Sequence, residues 1–185
     1  MARTPSAMIE LGTKAADFLL PDVVSGSLIS LKESSSTIAT VVMFICNHCP
    51  FVKHVQEELV RLSKDYSPKG IKFIAISSND IVAYPADAPE KMKDYALQVG
   101  FDFPYLYDET QEVARKYQAT CTPDFFVFDG NLRCVYRGQL DDSRPGNGVP
   151  VTGEDLRAAL EALLTNQPVN AFQKPSIGCN IKWAN

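Results

Sequence analysis

Two cysteines three residues apart, Cys46 and Cys49, are the side chains of this sequence best suited to chemistry; Asn47 and His48 lie between them and Pro50 follows. A thiolate is a strong nucleophile, and a second thiol within reach can resolve the mixed disulfide it forms. The spacing therefore points to reversible dithiol-disulfide chemistry. An unperturbed histidine titrates near neutrality, so His48 either tunes Cys46 or faces solvent, and the sequence leaves both open. Metal binding is the other common use of Cys-x-x-Cys. Zinc sites carry a second ligand pair at comparable spacing, and none is found here; the only histidines are His48 and His54.

Such a pair needs elements to position it. Ile38 to Ile45 is a continuous apolar, β-branched run, as expected of a strand covered on both faces. Phe51 to Tyr66 reads as an amphipathic helix, with Val52, Val55, Leu59 and Leu62 on one side and Lys53, Glu57, Glu58, Arg61 and Lys64 on the other. Pro50 suits the first turn, where a missing N–H costs least. A strand that runs into a helix at these cysteines places them at a helix N-terminus, whose free N–H groups and dipole favour thiolate. With the helix starting near Cys46, that sulfur is expected to face solvent and Cys49 to lie one turn in. Cys46 is then the nucleophile and Cys49 the resolving thiol.

The rest of the chain alternates strand and helix. Residues 1–16 read as a loosely held arm, and Asp17–Leu20 with Leu28–Leu31 as a hairpin ahead of the core sheet. Ile71–Ser77 reads as a second, parallel strand, and 79–89 as a loop at the sheet's C-terminal edge, where function tends to sit in open α/β folds. Helices are expected over Glu90–Val99 and Glu109–Tyr117, with an aromatic strand, Phe103–Tyr107, between them. A hairpin follows, Asp124–Phe128 and Leu132–Arg137, whose Cys134 reads as a small buried hydrophobe. Glu154–Leu164 is a last helix with Thr152 and Asp155 as its capping pair. The tail, 165–185, carries Ile177, Ile181 and Trp183 and is expected to fold back on the protein.

The 185 residues fit one α/β domain over 1–185, and 45% hydrophobic residues supply a sizeable core. A net charge of -4 without a basic block argues against nucleic acid and anionic membranes as partners. No run approaches the roughly 18 apolar residues of a spanning helix, and the N-terminus lacks an export signal, so a cytoplasmic protein is expected. In that compartment five cysteines are not a structural framework.

A βαβ unit, a Cys-x-x-Cys at its first strand-helix junction and Thr122-Pro123 just before a hairpin together resemble the thioredoxin superfamily. The N-terminal hairpin with Ala16-Asp17-Phe18-Leu19-Leu20-Pro21, and the helix between the second and third core strands, resemble its redoxin branch, the alkyl-hydroperoxide-reductase and thiol-specific-antioxidant proteins. The likeness covers residues 9 to about 164. Within the branch, Tyr105 to Ala114, Cys46 to Pro50 and the Pro175-to-Trp183 tail resemble proteins often labelled peroxiredoxin-like. The resemblance implies a thioredoxin-like α/β fold, a central mixed sheet flanked by helices. It implies Cys46 and Cys49 as the redox pair and Pro123 as a cis-proline that leaves the Thr122 backbone open to a substrate strand. Cys121, two residues before that proline, is expected beside the dithiol. The peroxiredoxin Pro-x-x-x-Thr/Ser-x-x-Cys signature is absent, because Met43 and Ala39 stand where its Thr/Ser and Pro would.

The expected activity is thiol-disulfide exchange, with no resident cofactor or metal. Its partners are protein or small-molecule disulfides and thiols, plus a reductant system. Two other classes compete: a thiol peroxidase using Cys46 on peroxides, and a metal-binding protein using Cys46, Cys49 and a histidine.

Overall fold

The computed structural model describes residues 3–184, so Met1 and Ala2 of the expected arm and Asn185 of the tail lie outside the described residues. The strands are β1 (Arg3–Pro5), β2 (Leu19–Pro21), β3 (Leu28–Ser30), β4 (Ala39–Phe44), β5 (Ile71–Ser77), β6 (Tyr105–Tyr107), β7 (Cys121–Thr122), β8 (Asp124–Asp129), β9 (Cys134–Gly138) and β10 (Ile177–Asn180). The helices are α1 (Leu31–Ser34), α2 (Pro50–Tyr66), α3 (Pro89–Val99), α4 (Glu112–Lys116) and α5 (Glu154–Leu164).

The central sheet runs β6-β5-β4-β8-β9, with β4 parallel to β5 and antiparallel to β8. Successive strand residues face opposite ways. Val41, Met43 and Ile45 pack with Val52, Leu59 and Leu62 of α2, Met92 of α3 and Leu160 of α5. Val42 and Phe44 pack on the other face with Leu31, Ala114 and Tyr117. Both faces are covered, which is why β4 is apolar but for Thr40, whose hydroxyl accepts from the Ser36 N–H. Burying each of the four face residues of α2 contributes about 1.5 to 3 kcal/mol, enough to hold the helix and its N-terminus rigidly on the sheet.

Several elements differ from the sequence expectation. The arm is not loose: β1 pairs with the tail strand β10, the Ser6 hydroxyl donates to Asp124 at 2.8 Å, and Ile9 is buried. Helix α4 is shorter than Glu109–Tyr117, because Asp108 accepts from the N–H groups of Val113 and Ala114 and Gln111 takes a left-handed turn before it. Gly153, not Thr152, caps α5. The Asp141 carboxylate takes the N–H groups of both Thr152 and Gly153, leaving Thr152 no capping role. The tail folds back as expected, in a second sheet of order β1-β10-β7.

Candidate active site

Pro50 is the first residue of α2 and Cys49 is its cap. The helix therefore starts at the second cysteine rather than near the first, as proline's preference for the first helical position dictates. Cys46 lies in the turn between β4 and the helix. It does not face solvent: Cys46 is 1% exposed and Cys49 fully buried, both within the core that faces α2. The expectation of an outward Cys46 sulfur is thus corrected. The motif's partly exposed residue is His48.

The Thr122–Pro123 peptide bond is cis, and it brings Thr122 against both sulfurs. The Thr122 hydroxyl lies 3.4 Å from Cys46 Sγ, and the Cys49 thiol donates to the Thr122 carbonyl at 3.2 Å. The Thr122 backbone is not open, however. Tail strand β10 pairs with β7 in the register Cys179 to Thr122 and Asn180 to Cys121, occupying the edge on which a substrate strand was expected to lie. Gly178 makes this approach possible, since a side chain there would collide with the Thr122 carbonyl. Cys121 is buried on the same short strand, and its thiol faces the Pro123 carbonyl at 3.8 Å. Burial, followed by the Asp124 charge, pushes its pKa up.

The two motif thiols titrate as a pair. Their mutual hydrogen bond lets one proton serve both sulfurs, so the first proton leaves easily and the second is held. The thiolate is favoured at the cap: the hydrogen bond from Cys46 brings Cys49 down to about 5 against the cost of burial, with help from Cys179, Thr122 and the Val52 N–H of the first helical turn. Cys46 is raised by the same hydrogen bond, then by burial and by the Asp87 charge.

His48 is held rather than loose. Its Nδ1 is 2.6 Å from Asp87, and its ring stacks on Tyr84 at a centroid distance of 5.6 Å. Asp87, fully buried, also accepts from the Asn47 N–H and from the Asn79 side chain, both at 2.8 Å. Burial pushes the Asp87 carboxyl up, but His48 and these donors outweigh it and the net shift is downward. Asn47 completes the frame, donating to the Ala86 carbonyl and accepting from the Tyr105 hydroxyl. Sequence reasoning missed Asp87, Asn79, Asn47 and Tyr105. The signal for Asp87 was the loop 79–89, recognised as functional without showing which of its aspartates turns inward. His54 lies apart, against the Ser143 hydroxyl at 2.7 Å.

Ligand atoms of Cys46, His48 and Asp87 come within 4.8 Å of one another, but they make a poor metal set. The Asp87 oxygens already accept hydrogen bonds from Asn47 and Asn79. A closed structural zinc site would also need a fourth donor.

A central mixed sheet, a Cys-x-x-Cys at the first strand-helix junction and a cis-proline opposite it define a thioredoxin-like fold. The chain belongs to the AhpC/TSA family, whose model matches residues 11–137. Among solved structures it is similar to an uncharacterised conserved protein of Geobacillus kaustophilus, at 62% identity and TM-score 0.98 over 100% of this chain and 97% of that one. It is also similar to a hypothetical protein of Sinorhizobium meliloti, at 50% identity and TM-score 0.95 over 98% of each chain. A thiol:disulfide interchange protein of Chlorobium tepidum shares the fold at 20% identity and TM-score 0.64, over 85% of this chain and 99% of that one. No curated protein matches the sequence. No helix among the described residues is long and apolar enough to cross a membrane.

Proposed function

We propose that the protein is a thiol-disulfide oxidoreductase in which Cys46 is the nucleophile and Cys49 the resolving thiol. The observation that carries this reading is the pair of buried sulfurs at the strand-helix junction, both touched by Thr122 beside the cis-proline. The shared proton passes from Cys46 to Cys49, where the Thr122 carbonyl accepts the resulting S–H. The Cys46 thiolate attacks one sulfur of a substrate disulfide, forming a mixed disulfide, and the other substrate sulfur leaves with the electron pair and takes up a proton. Cys49 then gives up its proton and attacks Cys46, releasing the second substrate sulfur as a thiol and closing the Cys46–Cys49 disulfide. An external dithiol reductant restores the pair by the reverse steps.

Substrate approach is restricted. The Thr122 edge is filled by the tail, which favours small disulfides and exposed protein disulfides over extended peptide strands. Peroxide is the poorer substrate. Met43 offers no hydroxyl to hold an O–O bond, and the Arg137 guanidinium is engaged by the Ile9 carbonyl and Gln173, both at 2.7 Å. The test compares reduction of a chromogenic disulfide with consumption of hydrogen peroxide. The reading predicts faster exchange that is lost in Cys46→Ser; rapid peroxide turnover without exchange contradicts it.

A further inference from the structure

Cys179 sits on β10 directly opposite Thr122, the residue that touches both motif sulfurs. It is 2% exposed, and Cys49, whose thiol donates to the carbonyl of that Thr122 at 3.2 Å, is among the groups that raise its pKa. Strand β10 is held from both sides, by β1 in the register Arg3 to Cys179 and by β7. Beyond it, the Lys182 N–H donates to Asn79 at 2.8 Å and the Lys182 carbonyl accepts from Asp80 at 2.8 Å. Asn79 is the residue that also donates to Asp87. The tail is therefore built into the site, and it sets a third sulfur on the strand beside Thr122.

We propose that Cys179 is a third redox-active thiol that takes Cys49 from Cys46 as its disulfide partner. This rests on the dithiol reading above and extends it. Starting from the Cys46–Cys49 disulfide, the Cys179 sulfur loses its proton and attacks Cys49 Sγ. A Cys49–Cys179 bond forms and the Cys46–Cys49 bond breaks. The electron pair leaves on Cys46, which takes up the proton that Cys179 released. One disulfide and one thiol exist before and after, so the step needs no oxidant or reductant. Its product frees Cys46 as a thiol while the two-electron oxidation is stored beneath it. Burial raises the Cys179 thiol to about 12, so the exchange is slow near neutrality and rises about tenfold for each pH unit below that value.

The test oxidises the full-length protein with diamide, quenches with acid, alkylates the remaining thiols and maps disulfide-linked peptides by mass spectrometry. In Cys46→Ser and in Cys46→Ala, the proposal predicts a Cys49–Cys179 link whose yield is independent of protein concentration. In the wild type, the Cys46–Cys49 bond dominates near neutral pH, and the Cys49–Cys179 link grows as the pH is raised. The proposal is overturned if both variants keep Cys49 and Cys179 alkylatable under oxidant that closes Cys46–Cys49 in the wild type. It is equally overturned if the Cys49–Cys179 link forms only between molecules. A wild type that forms no Cys46–Cys49 bond contradicts the dithiol reading instead, and the two variants still decide the Cys179 assignment.

Discussion

Cys49 and Cys134 are almost equally deep in the protein, at 0% and 1% exposure, yet their surroundings push them in opposite directions. Cys134, on β9, packs into the core on the α4 side of the sheet, where its thiol faces the Tyr136 carbonyl at 3.5 Å. Burial raises it to about 11, with Arg137 only partly offsetting the cost. Cys49 suffers the same desolvation, but it receives a hydrogen bond from Cys46 and lies at the start of a 17-residue helix, and it falls to about 5. At equal burial, the donors aimed at a sulfur decide whether it is inert or reactive.

The largest expected effect is in reactivity toward alkylating agents. Near neutral pH the dithiol already carries a thiolate, whereas a thiol at about 11 is ionised in roughly one molecule in 10⁴. Alkylation followed by peptide mapping should modify the motif at least about 10⁴ times faster than Cys134. Its rate should fall through about pH 5 on acidification. Equal rates at the two sites would break the comparison. Activity should separate them almost as far. Cys46→Ser should lower disulfide exchange by more than about 10³-fold, and Cys134→Ala should leave it within about twofold, as measured with a chromogenic disulfide.

Asp124 sharpens the point with a different chemistry. It follows the cis-proline, is fully buried, and is raised to about 7 from 3.8, burial outweighing the Ser6 hydrogen bond. Between those values the folded protein binds more protons than the unfolded chain, so the stability linked to this group is present at low pH and is lost as the pH rises through about 7. The loss is on the order of 4 kcal/mol. Asp124→Asn should flatten that decline in chemical denaturation between about pH 4 and pH 7; an unchanged slope would refute the assignment. A smaller effect is expected at Asp87, which accepts from Asn47 and Asn79 and contacts His48. Asp87→Asn should cost about 1 to 3 kcal/mol, read as a lower Tm. By removing a negative charge near Cys46, it should also shift the alkylation profile of that thiol to lower pH, whereas a structural role alone would leave the profile in place.

The strand-helix junction was legible in the sequence because β4 is apolar on both faces and α2 repeats its apolar residues at helical spacing. Local periodicity records burial of that kind directly. The cap was legible too, from Pro50, although the reading placed the helix start near Cys46 and so turned its sulfur outward. What lay beyond the sequence is long-range. Asp87 reaches the motif across 40 residues from an irregular loop, and no periodicity distinguishes it from the other aspartates there. Strand β10 is four residues long, and its pairing with β7 follows from the fold rather than from its own composition. The arm looked loose for the same reason: Arg3–Pro5 has no strand signal until β10 is beside it.

The central claim is that Cys46 attacks and Cys49 resolves, although the resting charge favours Cys49. The most direct measurement mixes each single variant with a radiolabelled small disulfide and identifies the trapped mixed disulfide by mass spectrometry. The account predicts that Cys49→Ser accumulates a stable mixed disulfide on Cys46, with Cys46→Ser trapping far more slowly. Rapid trapping on Cys49 in Cys46→Ser, with none on Cys46 in Cys49→Ser, would reverse the two roles and contradict the account.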